Sequence, residues 1–231
     1  MTECRNVEIS KQRNIIMEIK LIQCNMVAEN CYIVSDETKE CAIIDCGAFS
    51  AMEKQAIGEY IAQNGLKPVL HLLTHGHFDH MMGSKWVYET YGLQPVICER
   101  DAELYKDFRN ELESFGIGGM ITDCDIPAIG RCLNDGDTVT FGNTTFRVIH
   151  TPGHSKGSVV FYCKEENVAF TGDTLFRGSI GRTDLPGGSM FQMINSLRLL
   201  QQLPDETRLY PGHGADSTMG LEGATNPYLD R

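Results

Sequence analysis

Residues 69–80 read Val-Leu-His-Leu-Leu-Thr-His-Gly-His-Phe-Asp-His, and this stretch decides the fold. Its first part, Val69–Leu73, is a short and nearly continuous apolar run, the pattern of a strand buried on both faces. Immediately after it come three histidines and an aspartate within six residues: His75, His77, Asp79 and His80. His75 and His77, two positions apart, point the same way only if the backbone stays extended. Asp79 and His80 follow where the chain would turn toward a helix. Imidazole and carboxylate are ligand types that suit zinc and similar first-row metals. The competing reading is a polar loop of hydrogen-bonded histidines. It is disfavoured because titratable groups that charge one another are costly to gather without a metal.

Three further segments share the same form, an apolar strand ending in a small-residue turn that carries one ligand-type residue. They are Thr151-Pro152-Gly153-His154, Thr171-Gly172-Asp173-Thr174 and Tyr210-Pro211-Gly212-His213. Each alone is a weak signal. Together with the first motif they place ligands at the ends of several strands, which brings them to one sheet edge.

The rest of the pattern is strands and helices in two similar halves. Ile15–Ile22, Cys31–Ser35 and Cys41–Asp45 read as an antiparallel opening. Ser50 caps a helix over Ala51–Gln63, with Ile57, Tyr60 and Ile61 on one face and Gly65 at its end. Beyond Val69–Leu73 come a helix over Ser84–Tyr91, a strand at Val96–Cys98 and a charged helix over Arg100–Glu113. Ser114–Gly130 reads as a long loop. Four strands follow, Thr138–Phe141, Thr145–His150, Val159–Tyr162 and Val168–Thr171, with a Gly142–Asn143 hairpin turn between the first two. Asp173–Gly188 is a glycine- and proline-rich loop, Met190–Leu203 a helix and Thr207–Tyr210 a strand. With no repeat, low-complexity segment or linker, residues 1–231 read as one domain. Its active edge is formed by the loops at 74–80, 151–157, 173–188 and 211–214.

Composition narrows the function. The 231 residues carry 31 acidic and 20 basic side chains, a formal −11. An acidic chain argues against nucleic acid, whose binding rests on displacing counterions from phosphate. No apolar run approaches the roughly 18 residues of a membrane helix, and the polar N-terminus is not a signal peptide. Nine scattered cysteines without a CxxC pair fit a reducing cytoplasm. They read as small buried hydrophobes rather than nucleophiles.

The motifs resemble the metallo-β-lactamase superfamily over nearly the whole chain. His75 to His80 match its H-x-H-x-D-H motif, and His154, Asp173 and His213 match its later ligands in order. The resemblance implies an α/β fold, a four-layer αββα sandwich, and two divalent metal ions. Zinc is the first choice, with iron and manganese as alternatives. One ion would sit on His75, His77 and His154, the other on Asp79, His80 and His213, with Asp173 bridging. His71 and His150, left over, read as core or outer-sphere residues. Such a pair of ions activates a shared water for attack on a carbonyl, with Asp79 orienting it or handling its proton.

Within the superfamily, the segment after Gly172 offers Asp173 rather than the cysteine of the classical zinc β-lactamases. His77 stands where the flavodiiron branch has glutamate. The run Gly172-Asp173-Thr174-Leu175-Phe176 resembles glyoxalase II, hydrolases of glutathione thioesters such as S-lactoylglutathione. Only 18 residues follow His213, so the classical helical glutathione-binding domain is not expected. Together with the stretch Arg177–Asp184, this makes the chain similar to the short bacterial glyoxalase II-like proteins. The expected partner is a small anionic thioester, held by Arg177, Arg182 or Lys156, unless Arg182 and Asp184 pair only to hold their loop. A persulfide dioxygenase is the alternative enzyme, with one iron on His77, His154 and Asp173. Asp173 followed by Thr-Leu-Phe, and Leu185 in place of an aromatic, favour the hydrolase. A non-catalytic metal-binding protein is the remaining alternative.

Overall fold

The computed structural model describes residues 17–121 and 125–229. Two six-stranded sheets organise the chain. The first is built in order from β1 (Glu18–Cys24), β2 (Glu29–Ser35), β3 (Glu40–Ile44), β4 (Lys67–Leu72), β5 (Pro95–Cys98) and β6 (Arg131–Leu133). Its first three strands are antiparallel, and β3 through β6 run parallel. The second sheet has the order β14 (Ser217–Thr218), β13 (Arg208–Pro211), β10 (Val168–Gly172), β9 (Val159–Cys163), β8 (Thr144–His150) and β7 (Thr138–Phe141). Only its β10–β13 pair is parallel.

Alternation along the strands creates the layers. Tyr32, Val34, Ile44 and Leu72 of the first sheet meet Phe146, Phe161 and Phe170 of the second in the central core. Ile33 and Ile43 face the other way, under α1 (Ala51–Gln63) and α3 (Ser84–Tyr91), where Ile57, Ile61 and Val87 cover them. On the far side, Val160, Ala169 and Leu209 are covered by α6 (Met190–Leu200) and α7 (Met219–Thr225) through Met193, Leu197 and Met219. The result is the expected αββα sandwich. Helix α1 has the expected limits because a capping box fixes its start. Ser50 Oγ accepts from Glu53 N at 3.2 Å, and Glu53 Oε2 accepts from Ser50 N at 2.7 Å.

Several expectations need correction. Strand β1 is described from Glu18 and continues to Cys24, while Ile15 lies outside the described residues. The charged segment expected as one helix over Arg100–Glu113 is three pieces: a 3₁₀ turn at Glu99–Asp101, α4 (Ala102–Lys106) and α5 (Phe108–Ser114). At the 3₁₀ turn Asp101 is spent on other loops, and beyond Asp107 the residues Phe108 and Leu112 pack into the cluster of Leu73, Phe78 and Met81. The loop expected over Ser114–Gly130 contains another 3₁₀ turn and leads into β6, three residues held by parallel pairing to β5. Asp173–Gly188 contains a small hairpin of β11 (Leu175–Phe176) and β12 (Ser179–Ile180). Helix α6 ends at Leu200, not Leu203. Strand β14 and helix α7 had no sequence signal strong enough to be read. Of the nine cysteines, the seven that are described are free thiols, and no described helix is long and apolar enough to cross a membrane.

His71 belongs to the core rather than the site. It lies on β4 between Ile43 and Pro95, fully buried. Neither ring nitrogen has a partner among the described residues. Burial pushes its pKa down to about 3, whereas in an unfolded chain it titrates near ~6.5. The unfolded state therefore binds the proton first as pH falls. Stability should drop between about pH 6.5 and 3, by up to about 1.4 kcal/mol per pH unit. His71→Leu should flatten that acid limb in urea titrations and change little near pH 8. Parallel acid limbs for the two proteins would assign the loss to other groups.

Candidate metal centre

The four motif turns meet at one end of the sandwich, as their places after β4, β8, β10 and β13 require. Thr74 O accepts from Val159 N at 2.9 Å, and Gly212 N donates to Gly172 O at 2.8 Å, which locks the turns against one another. Gly172 must be glycine on two counts. Its φ is +47°, and a Cβ there would meet Thr74 Cβ at 2.6 Å. Helix α2 (Phe78–Met81) starts after His77, whose backbone is still extended at φ −71°, ψ 149°, so His75 and His77 project toward the same space.

All seven expected ligands converge there. His75, His77 and His154 have ligand atoms within 4.8 Å of one another, as do Asp79, His80 and His213. Asp173 lies between the two groups, with Oδ1 3.4 Å from His80 Nε2 and Oδ2 3.6 Å from both His154 Nε2 and His213 Nε2. His213 Nε2 is also 3.2 Å from Asp79 Oδ2.

Each histidine is anchored from outside, and the anchor sets which nitrogen faces the centre. His154 Nδ1 donates to the Arg182 carbonyl at 2.8 Å, and His213 Nδ1 donates to that of Val27 at 3.2 Å. A carbonyl only accepts, so these Nδ1 atoms carry the protons and Nε2 is the nitrogen turned inward. His80 Nδ1 meets Asp45 Oδ2 at 3.0 Å, and His75 Nδ1 meets Thr74 Oγ1 at 3.1 Å. His77 is turned over. Its Nε2 lies 3.6 Å from Glu111 Oε1, and its Nδ1 faces His154 Nε2 at 2.8 Å.

This arrangement fits a cation. His77 Nδ1 and His154 Nε2, 2.8 Å apart, are bridged either by a proton on one of them or by a cation that both ligate. In addition, His75 Nε2, His80 Nε2 and Asp173 Oδ1 are buried without a hydrogen-bond partner among the described residues. Burial, reinforced by neighbouring histidines, holds His75 far below its ordinary pKa and His77 down to about 3, so both rings are neutral and able to ligate. Burial opposes charge on Asp79 and Asp173, yet His80 and His213 outweigh it and keep both carboxylates below their ordinary range. His80 is the reverse case. Burial disfavours its charge, but Asp79, Asp173 and Asp45 together raise its pKa.

A pocket of about 350 Å³ opens onto the centre, with His77, Asp79, His154, Asp173 and His213 at its floor. Of the three expected substrate cations, Arg182 reaches its wall. The Arg182 guanidinium is paired with Asp184 through two 2.7 Å hydrogen bonds, both side chains exposed. Lys156 lines a different groove beside Arg100 and Ser189. Arg177 is exposed and lines neither. His150 Nε2 meets the Lys156 carbonyl at 2.8 Å, outside the ligand cluster.

Sequence reading missed the buried carboxylates that support the site. Asp45, at φ +48°, accepts from Thr74 N and Thr74 Oγ1, both at 2.7 Å, besides His80. Asp101 accepts from Gly76 N at 3.0 Å and from Ser155 Oγ and Gly157 N at 2.6 Å, tying two motif loops together. Glu111 accepts from Phe78 N at 2.7 Å, and burial pushes its pKa up to about 8. The one available signal was Asp45 itself, an acidic residue directly after the buried run Ala42–Ile44.

The sequence profile of the metallo-β-lactamase superfamily matches residues 25–213. The chain belongs to the metallo-β-lactamase superfamily. Hydroxyacylglutathione hydrolase GloC from Haemophilus influenzae is 34% identical over 93% of this chain and 99% of its own. Among solved structures, TTHA1623 in a di-iron-bound form has a TM-score of 0.80 at 37% identity, covering 91% of this chain and all of that one. The BLEG-1 B3 metallo-β-lactamase has a TM-score of 0.76 at 33% identity, over 93% and 100%.

The dependence of His80 on Asp45 can be checked directly. Asparagine tolerates the left-handed backbone of position 45, so Asp45→Asn removes the charge without new strain. Metal affinity, measured by competition with a chromophoric chelator, should fall about 10- to 100-fold. Unchanged affinity would show that Asp45 serves the fold alone.

Proposed function

We propose that this protein is a metal-dependent hydrolase of thioesters, with glutathione thioesters such as S-lactoylglutathione as the first class to test. The observation that carries the reading is the convergence of seven His and Asp side chains at one end of the sandwich, five of them forming the floor of one pocket. His75, His77 and His154 form one ligand set, and Asp79, His80 and His213 the other, with Asp173 between them. Divalent ions held there supply Lewis acidity and a water acidified to near neutral pH. Zinc is the metal proposed first, and iron and manganese suit the same donors.

The protein's own groups have distinct parts in this scheme. The neutral rings of His75 and His77 are available as ligands without first losing a proton. Asp79 is ionised and lines the pocket, so its carboxylate is the group placed to orient a water or accept its proton. Arg182 is the cation that can reach a substrate carboxylate from the wall, provided it exchanges its Asp184 partner. The match to a hydrolase of hydroxyacylglutathione over nearly both full lengths supports the reading.

Similarity of the same extent to a protein named a β-lactamase keeps lactam hydrolysis as a second reading. His77, His154 and Asp173 also form the two-histidine, one-carboxylate set of a mononuclear iron oxygenase.

One experiment separates these. Metal quantification is combined with a panel of S-lactoylglutathione, other thioesters, a β-lactam and glutathione persulfide with oxygen monitored. Two ions per chain and thioester turnover, abolished by chelation and restored by added metal, is the expected result. A single iron with oxygen consumption would sink the hydrolase reading, and β-lactam turnover without thioester turnover would redirect it. A folded protein that binds metal but acts on none of the panel would leave a binding function. Among the cations, Arg182→Ala should raise KM for an anionic thioester several-fold. Lys156→Ala and Arg177→Ala should leave KM unchanged, since neither side chain lines the pocket.

A further inference from the structure

The walls of the pocket differ in kind from its floor. Of its eleven lining residues, five belong to the ligand cluster and five are apolar: Val27, Phe78, Phe115, Phe176 and Leu185. The eleventh, Arg182, has its guanidinium on Asp184. The apolar residues stand at both ends of the cluster. Phe78 adjoins His77 in sequence and packs on Phe115, ring centroids 4.9 Å apart. Phe176 meets the His213 ring edge-on at 6.2 Å, and Val27 sits beside His213 through its carbonyl. Leu185 follows Arg182, whose carbonyl anchors His154.

Two of these side chains are unusually open for their type, Phe115 at 42% and Val27 at 46% exposure. Phe115 lies just after α5, and Val27 lies in the β1–β2 turn, so neither contributes to the layered core. Large apolar groups held exposed around a polar floor are surface that a ligand can cover.

From this lining we propose that the pocket selects thioesters by an apolar acyl arm, aromatic or medium-chain aliphatic, laid against Phe115, Phe78 and Val27. This proposal rests on the thioesterase reading and names its substrate class. A 2-hydroxyacyl group such as lactoyl is the poorer fit on the same thiol. Among the described lining residues its hydroxyl meets side chains of the ligand cluster, hydrocarbon, and the one arginine, Arg182, which is placed for the carboxylate of the thiol part. A polar group desolvated without a partner loses binding, whereas added methylenes gain it.

The test holds the thiol constant and varies the acyl group. With the metal-loaded protein, kcat/KM is measured for S-lactoyl-, S-hexanoyl- and S-phenylacetylglutathione. Separately, calorimetry compares S-hexylglutathione with S-methylglutathione, thioethers that cannot be hydrolysed, on metal-loaded and metal-stripped protein. The expected result is about tenfold or greater preference for the hexanoyl and phenylacetyl esters. S-hexylglutathione should bind more tightly than S-methylglutathione by a similar factor in both forms of the protein. Phe115→Ala and Val27→Ser, exposed positions outside the core, should each shrink both preferences. Equal or better turnover of the lactoyl ester, with no tighter binding of the hexyl thioether, would overturn the proposal while leaving the thioesterase reading intact. Tight hexyl binding lost in Phe115→Ala, with no thioester hydrolysed, would uphold the apolar pocket and overturn the reaction.

Discussion

Two oxygens of one buried carboxylate hold the site to the fold. Asp45 lies just past the end of β3, in a left-handed backbone conformation, and accepts from the amide and hydroxyl of Thr74 and from the ring of His80. A non-glycine residue in that conformation carries strain and persists where its surroundings over-determine it. Here three hydrogen bonds do so. They join the end of β3 to the turn after β4 and to the first helix beyond it. The Thr74 hydroxyl, having given its proton to Asp45, is left to accept from His75. One carboxylate thereby orients two candidate ligands, one in each set.

The layering explains why such a site has only one kind of place to form. The central strands of both sheets are covered on both faces, so their interiors are committed to packing. Groups able to bind ions are left to the strand ends, where turns replace ladders. At this end the turns are packed closely enough that side-chain volume is excluded. Beyond Gly172, a Cβ on Gly212 would lie 2.6 Å from His80 Cε1. Close backbone approach is therefore part of the ligand geometry: the glycines let Asp173 and His213 come near the histidines of the first motif.

What the sequence discloses follows from the range of each interaction. The candidate ligands were legible because each comes with a local signature, a buried run and a small-residue turn. Helix α1 was legible to the residue because its capping box is closed by Ser50 and Glu53, three positions apart. The break at Asp107 was not, since past it Phe108 and Leu112 pack into the distant cluster around Phe78. Strand β6 is three residues with one buried side chain, and only its pairing with β5 makes it a strand. Asp45, Asp101 and Glu111 act on residues 25 to 56 positions away, and apart from the place of Asp45 after a buried run, an isolated acidic residue in a net-acidic chain carries no mark of that.

The anchoring of the histidines bears on how such a site changes its substrates. Three candidate ligands face side chains from outside, His75 held by Thr74, His80 by Asp45, and His77 3.6 Å from Glu111. The other two are oriented by main-chain carbonyls, those of Arg182 for His154 and Val27 for His213. A carbonyl stays in place when the side chain beside it is exchanged, provided the backbone path holds. Val27 and Arg182 are also the residues whose side chains form part of the pocket wall. At these two positions the chemistry of the floor is carried by the backbone and the chemistry of the wall by the side chain, and the two can vary separately. Replacing Asp45 or Glu111 loosens a ligand, whereas replacing the side chain of Val27 or Arg182 alters what the pocket touches and leaves the ring nitrogens aimed as before. A floor held by the backbone beneath walls made of side chains is a physical basis on which one fold can serve hydrolases with different substrates.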